Sequence, residues 1–341
     1  MRREIEKVIK GEDLSLDESK RAMESIMDGE ATPAQIGSFI TALRMKGETI
    51  EEISGAAMVM REKAARIDTK EKLLVDVCGT GGDKLNTFNI STTTAFVVAG
   101  AGVAVAKHGN RSVSSPSGSA DLLEELGVNL TLTPGQVGKS IDEIGIGFLY
   151  APTFHKAMKY AIGPRKEIGV RTIFNMLGPL TNPAHAQVQL LGVYSPDLTE
   201  PIAYVLKNLG VKSAFVVHGL CGMDELSTVG KTKVSRLKEG KVSTYEVIPS
   251  DYGLEEATLE DLKGGDPKEN AQITLDIFKG KKDKKRDIVL LNAGAVLVGA
   301  GKAENLKEGI QLAAKVIDEG LALKKLEELI EVTNNLAKEV S

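Results

Sequence analysis

Three compact apolar runs, each broken at once by a glycine-bearing loop, restrict this chain more than any other feature. Leu73-Leu-Val-Asp-Val77 leads into Gly79-Thr-Gly-Gly-Asp83, Val103-Ala-Val-Ala106 into Lys107-His-Gly-Asn-Arg111, and Ala214-Phe-Val-Val217 into His218-Gly219. Helical segments follow, so the runs read as βα units of a largely parallel sheet. Such a sheet takes ligands at the carboxyl ends of its strands, where these loops would lie.

The first 66 residues have a different texture. Ser15-Leu-Asp-Glu18 has the form of a capping box that opens a helix closing near Gly29. Thr32-Pro-Ala-Gln35 opens another that stops at Gly47, and Thr49-Ile-Glu-Glu52 opens a third. With Arg2 to Lys10 this makes four short amphipathic helices, which should pack together and leave an apolar face for a second subunit. The stretch Phe154–Leu180 is less strand-like and is expected to rejoin this helical part. The expected division is therefore 1–68, with 154–180, against 69–153 and 181–341. Further helices are expected over Ala271–Phe278, Ile288–Val298 and Leu306 to Lys338, with Lys281-Lys-Asp-Lys-Lys-Arg286 as a solvated loop.

With 341 residues, 42% hydrophobic and 26% charged, the chain has the composition of a folded globular protein. It has no apolar run of the roughly 20 residues that would span a bilayer. Its start, Met1-Arg2-Arg3-Glu4, lacks the apolar core of a signal peptide, so the expected location is cytoplasmic. A net charge of −4 opposes general attraction to nucleic acid. Cys78 and Cys221 have no metal-ligand spacing and are expected to be reduced thiols.

Four segments carry chemistry. In Cys78-Gly-Thr-Gly-Gly-Asp83, Gly79, Gly81 and Gly82 allow a tight turn whose amides can face an anion. Ser91, Thr92 and Thr93 then open a helix whose first turn favours phosphate. A plain glycine turn with a Ser/Thr cap would use the same glycines, but Asp83 and Asn89-Ile-Ser-Thr92 favour a phosphate site. It is neither a Walker loop nor a dinucleotide fingerprint. Lys107 to Ser115, followed by Pro116-Ser-Gly-Ser-Ala120, adds two cations and several hydroxyls suited to phosphate oxygens. His108 could contact substrate or simply hold the loop. Asp224-Glu225, between Gly222 and Ser227, suits a hard cation bridging to phosphate, although such a pair is also common on surfaces. In Gly163-Pro-Arg165, Arg171 and Asn175-Met-Leu-Gly-Pro179, an arginine among small residues could grip a planar carboxylate, with Gly178-Pro179 leaving room for a flat ring.

Together CGTGGDKLNTFNISTTTA (Cys78–Ala95), KHGNRSVSSPSGSADLLEELG (Lys107–Gly127), GPRKEIGVRTIFNMLGPLTNP (Gly163–Pro183) and GMDELS (Gly222–Ser227) closely resemble the anthranilate phosphoribosyltransferases. The likeness runs along essentially the whole chain. It implies an α/β fold: a small all-helical domain beside a large α/β domain with a mainly parallel central sheet, the site in the cleft between them. It also implies a homodimer made through the helical domains, and a place at the second committed step of tryptophan biosynthesis. The implied reaction joins anthranilate to the ribose of phosphoribosyl pyrophosphate with Mg²⁺ present. Carried over by the resemblance, Gly79, Gly82, Asp83, Thr87, Asn89, Ile90, Ser91, Thr92 and Ser119 would bind the donor. Lys107, His108, Gly109, Asn110, Arg111, Ser112, Val113, Ser114 and Ser115 would join them. Ser91, Asp224 and Glu225 would hold Mg²⁺. Gly79, Asn110 and Arg165 would contact anthranilate. Lys107, Arg165, Asp224 and Glu225 would carry the catalytic roles. The amine itself is the nucleophile, and no general base is assigned.

Two other readings remain open at this point. A pyrimidine nucleoside phosphorylase would need one phosphate site and no divalent metal; Asp224-Glu225 and NMLGPLTNP argue against it. A non-catalytic nucleic-acid binder should show excess Lys and Arg, against the charge balance here.

Overall fold

The computed structural model describes residues 1–112 and 116–339. The chain opens with helices α1 (Arg2–Ile9), α2 (Leu16–Met27), α3 (Pro33–Lys46) and α4 (Ile50–Lys63). Each of the last three starts in a reciprocal capping box: Ser15 with Glu18, Thr32 with Gln35, Thr49 with Glu52. A cap of this kind stabilises a helix by about 1 kcal/mol. Glu52 also serves the tertiary fold. Its fully buried carboxylate accepts from the Leu14 amide at 2.9 Å, the Thr49 amide at 2.8 Å and Lys46 Nζ at 3.0 Å.

The α/β part begins with β1 (Val75–Gly79), α5 (Ile90–Gly100), β2 (Val105–Gly109), α6 (Ser119–Glu125), α7 (Pro134–Ile144) and β3 (Ile146–Tyr150). The short helix α8 (Ala151–Phe154), α9 (Lys159–Ile168) and α10 (Phe174–Leu180) come next. Then follow β4 (Val188–Gly192), α11 (Thr199–Asn208), β5 (Ser213–Gly219), and a hairpin of β6 (Thr232–Lys238) and β7 (Lys241–Val247). Helices α12 (Pro267–Phe278), α13 (Lys284–Gly299), α14 (Leu306–Asp318) and α15 (Leu321–Lys338) complete the described chain.

Among the described residues the strands form one sheet in the order β3-β2-β1-β4-β5-β6-β7. The first five are parallel, and β6 and β7 are antiparallel. Alternate residues enter two different cores. Val77, Leu190 and Val217 pack towards α5, α13 and α15; Cys78, Leu191 and Val216 pack towards the other side, whose core continues into the N-terminal helices. Burial on both faces is why these strands read as unbroken apolar runs. Residues 154–180 lie on that second side, with α9 against α2 and α3 and α10 against α4. Arg61 of α4 reaches across to the carbonyls of Leu180 at 2.7 Å and Leu209 at 3.2 Å.

Several boundaries differ from the expectations. β1 and β2 begin two residues later than the apolar runs and all three strands end two to three residues later, while β5 begins one residue earlier. Lys107 and His108 thus belong to β2 rather than to a loop, paired in register with Phe148 and Leu149 of β3. The C-terminal run is two helices, because Gly320 adopts a left-handed φ of 71°. Lys281–Arg286 is not wholly a solvated loop. Asp283 caps α13, and Arg286 is buried with its guanidinium 2.7 Å from Asp318. Val113, Ser114 and Ser115 lie outside the described residues.

Candidate active site

In the strand order 3-2-1-4-5 the connections leave β1 in one direction and reach β4 in the other, so the topological switch lies between β1 and β4. Ligands of open α/β sheets bind beyond the carboxyl ends of such a strand pair. The residues there are Gly79 and Gly192, paired in register. Both lack a side chain for a visible reason. A Cβ at Gly192 would strike the Asp224 carbonyl, and one at Gly79 would strike the Asp224 carboxylate. The loop after β5 thus lies directly across the switch point.

Past Gly79 the chain turns sharply, with left-handed φ at Gly81 (65°), Gly82 (77°), Lys84 (62°) and Asn86 (54°). The Gly81 amide donates to Asp224 Oδ2 at 2.8 Å. Asp83, also beside Asp224, accepts from the Leu85 amide at 3.2 Å. Thr87 bridges to Lys263, and Asn89 caps the entry to α5 in sequence. Asn89 is held from two directions, by Ser117 at 3.2 Å and by Asn270 Nδ2 at 2.9 Å. The Asn270 side chain in turn accepts from the Gly265 amide. The segment around Gly264-Gly265 and Asn270 was not anticipated, since nothing local ties it to residues almost two hundred positions earlier. Ile90 is buried, and the Thr92 hydroxyl points into the interior beside Lys107, not towards a cleft.

Burial first, and the nearby Asp83 second, pushes the Asp224 carboxyl up to about 6. Burial and then Asp224 lift Glu225 well above the usual carboxylate range, while Lys107 and the Ser91 amide pull it back. Among the described residues no group of three or more Asp, Glu, His or Cys side chains forms a ready-made metal cage. The two crowded carboxylates suit a hard cation held only in part by the protein, and the amides of the facing turn suit phosphate. Such a cation keeps waters and takes its remaining oxygens from a phosphorylated ligand.

Lys107 is 4% exposed, and its ammonium donates to the Val77 carbonyl at 2.7 Å. Its charge therefore lies beneath the end of the sheet, where it acts on Glu225. Next to it the fully buried Asp76 accepts from the His108 amide at 3.1 Å and from Asn182 at 2.8 Å. His108 is buried against His155, ring centroids 5.1 Å apart. Burial holds His108 well below the usual histidine range and His155 at about 4, so both are neutral near neutrality. Asn110 and Ser119 bond each other at 3.2 Å. Arg111 was expected to offer charge to phosphate, but here its guanidinium is paired with Glu124 at 2.7 Å and Asp121 at 3.0 Å. Asp121 also takes the amides of Ser112 at 3.0 Å and Gly118 at 2.9 Å, which folds this loop back on α6. Gly109 ends β2, with Ser119 and Phe148 where its Cβ would be.

On the other wall, Arg165 is half-buried on α9 with its guanidinium 5.0 Å from the centre of the Phe174 ring. Burial alone lowers its pKa, and among the described residues no carboxylate offsets it. Gly178 has open space on its Cβ side. Arg171 donates to the Gly82 carbonyl and stacks on Tyr194, joining this wall to the glycine turn. Tyr194, Asn182 and His155 were not singled out from the sequence, because each reaches the site only through the three-dimensional packing.

Comparison with known proteins agrees with this layout. Residues 2–64 match the helical bundle domain of the glycosyl transferase family, and residues 71–323 match its a/b domain. The anthranilate phosphoribosyltransferase of Acetivibrio thermocellus is 58% identical over 335 residues, covering 98% of this chain and 97% of the relative. The crystal structure of the Thermus thermophilus anthranilate phosphoribosyltransferase superposes with a TM-score of 0.93 at 44% identity, covering 97% of this chain and 99% of that one. The Saccharomyces cerevisiae anthranilate phosphoribosyltransferase, solved in complex with PRPP and Mg, has a TM-score of 0.89 at 32% identity, with 97% of each chain covered. Matched by both domain models of the family and by relatives along nearly its full length, the chain belongs to the anthranilate phosphoribosyltransferase family.

Proposed function

We propose that this chain is a pentosyltransferase of tryptophan biosynthesis. It would join the amine of anthranilate to the ribose C1 of phosphoribosyl pyrophosphate and release pyrophosphate. One observation carries the reading: the glycine turn, the first turn of α5 and Asp224-Glu225 converge at the switch between β1 and β4. The donor would bind along Gly79, Gly82, Asp83, Thr87 and Asn89 to Thr92, and along the loop from Lys107 to Ser119.

Ser91, Asp224 and Glu225 are the residues that would hold Mg²⁺, which neutralises charge on a pyrophosphate when bound. The chain's own contribution is mostly placement and field. Fixed amides of the turn and the buried Lys107 ammonium favour negative charge on the departing group, more strongly once water is excluded. Arg165 would hold the anthranilate carboxylate, with Gly79 and Asn110 beside the ring, and so align the amine with C1. No side-chain nucleophile is needed, and the amine proton can leave through the ortho carboxylate or water.

The packing of α9 on α2 and α3 supports a division into 1–68 with 154–180 and 69–153 with 181–341. A homodimer through the helical part is supported by exposed Ile9, Met45, Tyr160, Ile162 and Val170, five of the eight large exposed apolar residues described. Among the described residues no helix is long and apolar enough to cross a membrane, which accords with a cytoplasmic location.

The test is loss of anthranilate fluorescence with phosphoribosyl pyrophosphate and Mg²⁺, against an EDTA control. Loss only with all components present is expected; no loss in folded protein would overturn the reading.

A further inference from the structure

Arg171 has no part in the chemistry above, yet it touches both walls of the cleft. It lies just beyond Gly169, which ends α9 with a φ of 68°. Its Nη2 donates to the Gly82 carbonyl, and its guanidinium carbon sits 4.3 Å from the centre of the Tyr194 ring. The fit leaves no slack: a Cβ on Gly82 would be 3.0 Å from Nη2. Tyr194 lies two residues past β4, next to Val193, whose amide is tied to the Val217 carbonyl. Burial first, with the charge of Glu48, raises the pKa of the Tyr194 hydroxyl, while Arg44 and Arg171 pull it back. Tyr194 packs on the core shared with the N-terminal helices, and Arg171 joins it to the glycine turn.

We propose that Arg171 is a positioning residue for the phosphoribosyl donor, clamping the Gly81-Gly82 turn to the Tyr194 ring so that the turn's amides are set for the anion. This rests on the transferase reading above. In a planar trans peptide the carbonyl and the following amide point in opposite directions. With the Gly82 carbonyl taken by Arg171, the Asp83 amide is turned away from it, and among the described residues that amide has no carbonyl partner. Gly81 is fixed independently through its amide to Asp224. The turn is thus gripped at two consecutive residues, by an acid from the loop after β5 and by a cation from the loop after α9. Arginine suits the second grip because its planar fork donates to a carbonyl while its face stacks on a ring, which a lysine ammonium cannot do.

The experiment compares Arg171→Lys, Tyr194→Leu and Tyr194→Phe with the unaltered protein. Hydrogen exchange is followed at the amides of Gly81 to Asn86 without substrate, and apparent KM values are measured for each substrate. Arg171→Lys and Tyr194→Leu should speed exchange in that segment and raise the donor KM about tenfold, with the anthranilate KM within about twofold. Tyr194→Phe keeps the ring and should behave as the unaltered protein. Unchanged exchange, or both KM values rising together with a fall in Tm, overturns the proposal. Should the unaltered protein fail to transfer phosphoribosyl to anthranilate, the functional reading fails, while the exchange data still decide whether Arg171 holds the turn.

Discussion

A half-buried guanidinium without an acid beside it is an expensive arrangement for a protein to hold, and among the described residues Arg165 is in that position. Losing a charge-assisted contact to a carboxylate weakens binding by about 1.5–3 kcal/mol, so Arg165→Ala should raise the anthranilate KM roughly tenfold or more. The donor KM should barely move; equal changes in both would point to folding instead. His155 makes a different prediction. Burial lowers it from 6.5 to about 4, so between those values the unfolded chain takes up a proton that the folded chain refuses. Stability from this group therefore falls as pH falls through that window. His155→Asn lacks this penalty, so its Tm deficit should be smaller at about pH 5 than at about pH 7. A deficit constant with pH would remove His155 as the source. At this scale the sequence showed which residue types stand near the strand ends, and the Asp224-Glu225 loop does meet the glycine turn, but it did not show what burial decides. Lys107 and Arg111 both read as phosphate cations, yet one is sunk beneath β1 and the other is tied to α6.

Elements were legible where their signals are local. All three capping boxes formed as written, because a cap needs only residues three apart. Strand limits were not, since the ends of β2 are set by its register with β3. The β6–β7 hairpin offers no apolar run, because β7 is exposed along most of its length. The buried Arg286 was hidden in a charged run because its partner, Asp318, belongs to another helix. The placement of the acidic loop across β4 yields a test at this scale. Gly192→Ala would drive a methyl into the Asp224 carbonyl. It should displace Asp224-Glu225, lowering kcat and weakening the response to Mg²⁺ while the circular dichroism stays native. A variant with normal Mg²⁺ dependence would show that the loop tolerates displacement.

For the whole molecule, the two-part plan and the parallel sheet could be read from texture alone, but the way the helical part shares a core with one face of the sheet could not. That sharing depends on Cys78, Leu191 and Val216 pointing to one side while their neighbours point to the other. Dimerisation is the prediction that belongs here. Met45, 84% exposed at the end of α3, should tolerate glutamate in a monomer but not in an apolar interface. Met45→Glu is therefore expected to halve the mass seen by sedimentation, and an unchanged mass would place any interface elsewhere. The sheet's two margins differ in a way that bears on handling the protein. β3 is roofed by α7 and α15, whereas β7 lies open and carries Lys241 and Glu246. A charged open margin discourages strand-to-strand aggregation. Behind it lie β6 and then β5, whose Ala214-Phe-Val-Val217 is buried throughout. The hairpin after β5 is thus a guard for the sheet, and a protein trimmed of it would present a bare apolar strand to every neighbour in solution.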